Sequence, residues 1–138
     1  MYKTILITLD GTPTDRVIVD HLKLLAPAMR SRLVLLHVVT GVPAVYHGAN
    51  AAGLEVDRSR QYLESVQAEF VALGLETVIA LAYGEPAKEI VNWVKQNKCD
   101  LVAMSTHGHG FVADLVLGTT AIKVQHSISI PVLMLRAR

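Results

Sequence analysis

The sequence predicts an α/β fold: one domain built on a parallel sheet, doubly wound, with helices on both faces. Three observations predict it. Short runs of apolar and β-branched residues recur five times along the chain. Segments with apolar residues at helical spacing separate them. The strand-like runs are continuously apolar rather than alternating, which is the pattern of strands covered on both faces. A chain of 138 residues is most simply one domain. That length buries about two-thirds of the surface its unfolded form exposes.

Tyr2 to Leu9 reads as the first buried strand, stopped by Asp10-Gly11-Thr12-Pro13. Thr12 or Thr14 can cap the helix that follows, and Pro13 suits a first turn. Val17, Ile18, Leu22, Leu25 and Met29 recur at helical spacing. Pro27 has no N–H to donate, so the helix is expected to kink or end near Leu25 or Ala26. Leu33 to Val39 is a second apolar strand. Thr40 to Gly53, with Gly41, Pro43, Gly48 and Asn50, reads as a long loop, either functional or a plain connection. Glu55 to Leu73 is an amphipathic helix with Tyr62, Leu63, Val66, Phe70 and Leu73 on one face, ended by Gly74. Thr77 to Ala82 is the third strand. Pro86 opens a helix whose Ile90, Val91 and Val94 face inward. Leu101 to Ser105, a short helix over Thr119 to Ser127 and a strand over Pro131 to Leu135 complete the alternation. Crossovers between such strands are right-handed.

Composition narrows the function. Apolar residues make up 51% and charged residues 18%, which excludes a disordered chain. A net charge of +1 with scattered Lys and Arg gives no basis for nucleic-acid binding. No apolar stretch reaches the roughly 18 residues of a membrane span. No secretory leader pattern is visible, and Cys99 is the only cysteine. These features predict a soluble protein of the reducing cytoplasm. Cys99 reads as a small buried hydrophobe.

The most informative stretch is Leu101 to Thr120. Its apolar run breaks into Ser105-Thr106-His107-Gly108-His109-Gly110, and a second apolar run leads to Gly118-Thr119-Thr120 at a helix-like start. Strand, small polar loop, then glycine at a helix start can hold an anion. Unpaired amides point outward there, the helix dipole adds positive charge, and glycine permits close approach. The stretch is therefore expected to cradle a nucleotide's phosphates. In open α/β sheets, ligands bind beyond the carboxyl ends of the strands. Asp10, the segment after Val38, and Ser105 to Gly110 all lie at such ends.

Other patterns weigh against rival chemistries. Gly108-His109-Gly110-Phe111-Val112-Ala113 fits a dinucleotide fingerprint but follows the fourth strand, and no acid lies about 20 residues on. No G-K-[ST] occurs, so a P-loop is absent. His107 and His109 lack a third ligand for a metal site. His37 reads as a satisfied, half-buried residue, Tyr62 and Trp93 as packing, and Asp114 as a solvated loop acid. Asp10 either contacts a ligand or caps the helix after it. No nucleophile-and-base pattern is present.

The chain resembles the universal stress protein family, ATP-binding branch. The resemblance rests on Ile5 to Gly11, Leu35 to Val39, Tyr83 to Val91, Asp100 to Gly108, LGTTAIKV and IPVLMLR. That branch carries G-x-x-G, nine residues, then G-[ST]. Here Gly108 precedes Gly118-Thr119 by that spacing, while Ser105 replaces the first glycine and His109 stands where many relatives have arginine. The resemblance implies a Rossmann-like, adenine nucleotide alpha hydrolase-like sheet of order 3-2-1-4-5. It implies ATP, or ADP or AMP, with Mg²⁺. Asp10 matches an adenine- or ribose-side acid, and Thr8, Leu9 and Val38 match adenosine contacts. Ser105, Thr106, His107, Gly108, His109, Gly110 and Phe111 match the phosphate loop. Gly118, Thr119, Thr120 and Ala121 match the helix start that receives the phosphates. It also implies a homodimer through the edge at Val132 to Leu135, and a protein that reads the nucleotide state. The leading expectation is a dimeric regulatory module that binds an adenine nucleotide. The alternatives are a slow ATP hydrolase or nucleotidyl-transfer enzyme in the same pocket, and a ligand-free dimeric module.

Overall fold

A computed structural model describes the backbone of residues 2–40, 44–106 and 114–137, and the side chains of residues 2–40, 53–106 and 120–137. The elements run β1 (Thr4–Thr8), α1 (Asp15–Met29), β2 (Arg32–Val39), α2 (Ala44–Val71), β3 (Thr77–Tyr83), α3 (Pro86–Gln96), β4 (Leu101–Thr106), α4 (Asp114–Ser127) and β5 (Val132–Arg136). The strands form one parallel sheet in the order β3-β2-β1-β4-β5. This is the predicted order, and strand order reverses between β1 and β4. The helices are too short or too polar to cross a membrane, among the described residues.

The apolar strands feed two cores. Side chains alternate across a strand, so a run without polar interruption fills both faces. Ile5, Ile7, Leu33, Leu35, Leu101 and Ala103 face one side, against Ile18, Val19 and Leu22 of α1 and Leu63, Val66 and Phe70 of α2. Leu6, Val34, Leu36, Val102 and Met104 face the other, against Ala87, Ile90 and Val91 of α3 and Ala121 and Val124 of α4. Val94, Trp93 and Cys99 pack at the margin of this second core. Burial, then the nearby Asp100 charge, pushes the Cys99 thiol up to about 11, so it stays an unreactive thiol at neutral pH.

Four expectations are corrected. α1, expected to kink or end near Leu25 or Ala26, does not end there but runs through Pro27 to Met29. Ala26 is fully buried, and Leu25 and Met29 pack on the core, so last-turn burial offsets one missing ladder bond. The span after Thr40 is not a loop to Gly53, because α2 already begins at Ala44. Gly48, Asn50 and Gly53 are poor helix formers at about 1 kcal/mol or less each. Extending a helix already nucleated by its packed half costs no new nucleus. Leu73 is not on the core face; it is 47% exposed, and Leu75 is buried instead. α2 stops at Val71, so helical spacing no longer places residue 73. Last, α4 begins at Asp114, not Thr119.

α2 is also tied to α1 on the surface. Glu69 accepts from Arg16 at 2.9 Å and pairs with Lys23. The Arg16 guanidinium, then Lys23, holds the Glu69 carboxyl down at about 2. Such exposed pairs contribute little stability singly, but they fix the azimuth of α2 over the sheet.

Candidate functional site

The carboxyl ends of β1, β2 and β4 open into a cleft of about 520 Å³. That is within the range of small-molecule sites, roughly 300–1,000 Å³. It lies where the strand order reverses, as the topology rule for open sheets demands.

Of the residues singled out in the sequence, Thr8, Leu9, Asp10, Val38, Ser105, Thr120 and Ala121 line this cleft together. They come from β1, β2, β4 and α4, so the fold brings together segments up to about 110 positions apart. Thr106 ends β4 and does not line it; its carbonyl accepts from the Ala137 amide at 2.7 Å. His107, Gly108, His109, Gly110 and Phe111 lie outside the described residues. Gly118 and Thr119 belong to the second turn of α4, not to its start. Inside a helix the backbone amides are taken by the preceding turn. The donor-rich turn of α4 is therefore the one that begins at Asp114, a residue read in the sequence as part of a loop.

The floor of the cleft is organised by a residue the sequence reading passed over. Asp15, at the start of α1, is 2% exposed. Its Oδ1 accepts from the Asp10 amide at 3.0 Å. Its Oδ2 accepts from the Gly11 amide at 2.9 Å and from the Tyr62 hydroxyl at 2.6 Å. Gly11 has a φ of +85°, a conformation that glycine adopts without strain and that presents both neighbouring amides to one carboxylate. Burial pushes the Asp15 carboxyl up to about 6, with the Asp10 charge adding, against the pull of Tyr62 and the two amides. Tyr62 is pushed above the usual phenol range by burial and then by its bond to Asp15, so its hydroxyl remains a donor. Tyr62 is thus more than packing: it ties α2 to the β1–α1 turn.

A legible signal for Asp15 existed. Thr12-Pro13-Thr14-Asp15 matches the spacing of a capping box, a helix-start signal that marks the acid as one that can turn back to amides before the helix, although here it takes those of Asp10 and Gly11. A tight turn precedes α1, with the Asp15, Arg16 and Val17 amides bonded to the carbonyls of Thr12, Pro13 and Thr14. Asp15 closes that turn backwards.

Asp10 is exposed, and its Oδ1 accepts from the Thr12 amide at 2.9 Å and the Thr12 hydroxyl at 2.6 Å. The Asp10 carboxylate is thus held within the turn before α1 rather than at the helix N-cap, which is Thr14, and it stands on the cleft wall. Ser105 Oγ accepts from the Ile18 amide at 3.2 Å. A serine here supplies an acceptor to the first turns of α1 that glycine cannot. His37 is half-buried, as expected, with Nδ1 2.8 Å from the Leu9 carbonyl. A carbonyl only accepts, so Nδ1 carries the hydrogen. The imidazole joins the ends of β1 and β2 at the cleft.

The remaining wall is the middle of α2. Glu55, Arg58, Ser59 and Tyr62 all line the cleft, at the spacing of one helix face. The sequence reading assigned this helix to packing, because its next turns carry the apolar stripe. Among the described residues no group of three His, Cys, Asp or Glu side chains is placed to hold a metal ion.

The comparisons with known proteins agree with this architecture. The universal stress protein family model matches residues 1–136. A curated universal stress protein of Thermus aquaticus is 35% identical over 138 residues, covering 99% of this chain and all of that one. Among solved structures, MJ0577 of Methanocaldococcus jannaschii superposes with a TM-score of 0.88 at 22% identity, covering 100% of this chain and 98% of that one. A universal stress protein in complex with cAMP superposes with a TM-score of 0.79 at 19% identity, covering 99% of each. Sheet order, cleft position and whole-length matches converge: the chain belongs to the universal stress protein family.

Proposed function

We propose that the protein binds an adenine nucleotide in the cleft at the ends of β1, β2 and β4. In this reading ATP, brought in with Mg²⁺, is the full ligand, and ADP or AMP are lesser ones. The observation that carries it is the convergence of Thr8, Leu9, Asp10, Val38, Ser105, Thr120 and Ala121 on one cavity. The solved relative in complex with cAMP supports the adenine class, since that ligand shares base, ribose and a phosphate. Leu9, Val38 and Met104 offer apolar surface for a base, and Asp10 an acceptor for its amino group or the ribose hydroxyls. The phosphates then extend toward the loop from Ser105 to Phe111 and the first turns of α4, where Gly118 and Thr119 also stand. Mg²⁺ would be held chiefly by the phosphates, which suits an ion that keeps several waters.

The nucleotide's role in this proposal is regulatory, in the cytoplasm. Bound phosphates engage the β4–α4 connection, and α4 is followed by β5. β5 is an edge of the sheet, with Met134 37% exposed along it. An uncovered edge is a template for pairing, so we assign the homodimer contact to Val132 to Leu135. A ligand alters such an assembly only through different affinities for its states.

Mass spectrometry of gently purified protein tests the reading at its root. Co-purified ATP, ADP or AMP, lost on Asp10→Ala, is the expected result. Protein that carries no adenine nucleotide, and takes none up when ATP and Mg²⁺ are added, would overturn it.

A further inference from the structure

The phosphate loop contains neither lysine nor arginine, and the described walls of the cleft carry three carboxylates: Asp10, Asp15 and Glu55. A phosphorylated ligand entering this space meets repulsion unless a cation faces it. Among the described lining residues the only permanently charged cation is Arg58. The ion pairs among the described residues engage Arg16, Lys23 and Arg32, and Arg58 joins none of them. Among the described residues its guanidinium is therefore in no ion pair, although acids stand at Glu55 and Asp57 on its own helix.

Arg58 is also held in place. Leu63, Val66 and Phe70 bury the following turns of α2 with at most 1% exposure. Tyr62, one turn further along, is bonded to Asp15 at 2.6 Å. The backbone carrying Arg58 is thereby fixed relative to the cleft floor, while the side chain remains exposed. Binding an anion then orders one side chain rather than a helix, which keeps the entropic cost small.

We propose that Arg58 is the phosphate-binding cation of the cleft: it contacts a phosphate group of the bound nucleotide and makes the site select nucleotides over nucleosides. This inference rests on the adenine-nucleotide reading above and goes beyond it, naming the residue that senses phosphorylation. The planar guanidinium presents two parallel N–H donors that match two phosphate oxygens. Ser59 beside it on the same wall offers a hydroxyl to the same group.

The test is calorimetry with adenosine, AMP and ATP with Mg²⁺, on the wild type, Arg58→Gln and Arg58→Lys. Because Arg58 is exposed, both variants are expected to unfold at the wild-type temperature. Arg58→Gln should weaken AMP and ATP by about tenfold, the low end for a hydrogen bond to a charged group. Adenosine affinity should be unchanged. Arg58→Lys should recover part of the loss, since the charge remains and the fork does not. Raising salt should weaken ATP binding less steeply in Arg58→Gln than in the wild type. AMP and ATP affinities equal to the wild type would overturn the assignment. So would an equal loss for adenosine, which would place Arg58 on the base or ribose. A wild type that binds none of the three ligands would instead overturn the adenine-nucleotide reading, and this inference with it.

Discussion

Asp15→Asn is expected to remove a pH dependence of stability worth about 3 kcal/mol between roughly pH 4 and pH 6. Folding raises the Asp15 carboxyl from 3.8 to about 6. The native state therefore holds this proton more tightly than the unfolded chain does. Between those two values the native state binds more protons, so stability falls as pH rises through that window. Above about 6 the contribution is flat, and the protein carries a buried carboxylate at a cost. The charge is retained because three donors converge on it: the Asp10 amide, the Gly11 amide and the Tyr62 hydroxyl. Asparagine removes the titration but turns an NH₂ toward one of these donors, so one bond is lost. Urea unfolding of both proteins across the pH range reads the difference, and the other titrating groups cancel in the subtraction. Parallel pH profiles would show that the carboxyl does not titrate as described.

Phe70→Ala is expected to cost about 3–5 kcal/mol, measured as the shift in urea midpoint at constant slope. Phe70 is fully buried between α2 and the sheet, beside Leu63 and Val66. Removing the ring leaves a cavity that the neighbouring strands cannot close without breaking register. The expected consequence reaches the cleft, because the same helix carries Tyr62 and Arg58 about two to three turns earlier. A loss below about 1 kcal/mol would mean that α2 is not seated on the sheet as described.

Most of the fold was legible because it follows from local periodicity. Five apolar runs and the helical stripes between them specify the elements, and their uninterrupted character specifies two covered faces. The errors share one cause: local propensity read without tertiary context. Pro27 and the glycines of α2 argue for breaks, and packing of adjacent turns overrides them. The extra turn of α4 before Gly118 was hidden for the same reason, since a glycine reads as a boundary when the residues before it look like loop.

The cleft was half legible. Residues at strand ends, such as Thr8, Asp10, Val38 and Ser105, could be placed because topology puts all strand ends on one side. Asp15, Tyr62 and Arg58 could not be placed in that way. Tyr62 looked like part of an apolar stripe, and only the angle of α2 over β1 and β2 shows that the stripe ends at the cleft. Arg58 lies 47 positions from Ser105 in the chain. Nothing local relates the two, so the loop's lack of cations looked like a property of the whole site.

Chemical-shift mapping of the isotope-labelled protein with ATP and Mg²⁺ tests the central claim most directly. The account predicts saturable shifts at Asp10, Val38, Ser105, Arg58 and Thr120, which share no element but share one cavity. Shifts confined to the shallow lysine-lined groove between α3 and α4, at Lys88, Lys95 and Lys123, would contradict it.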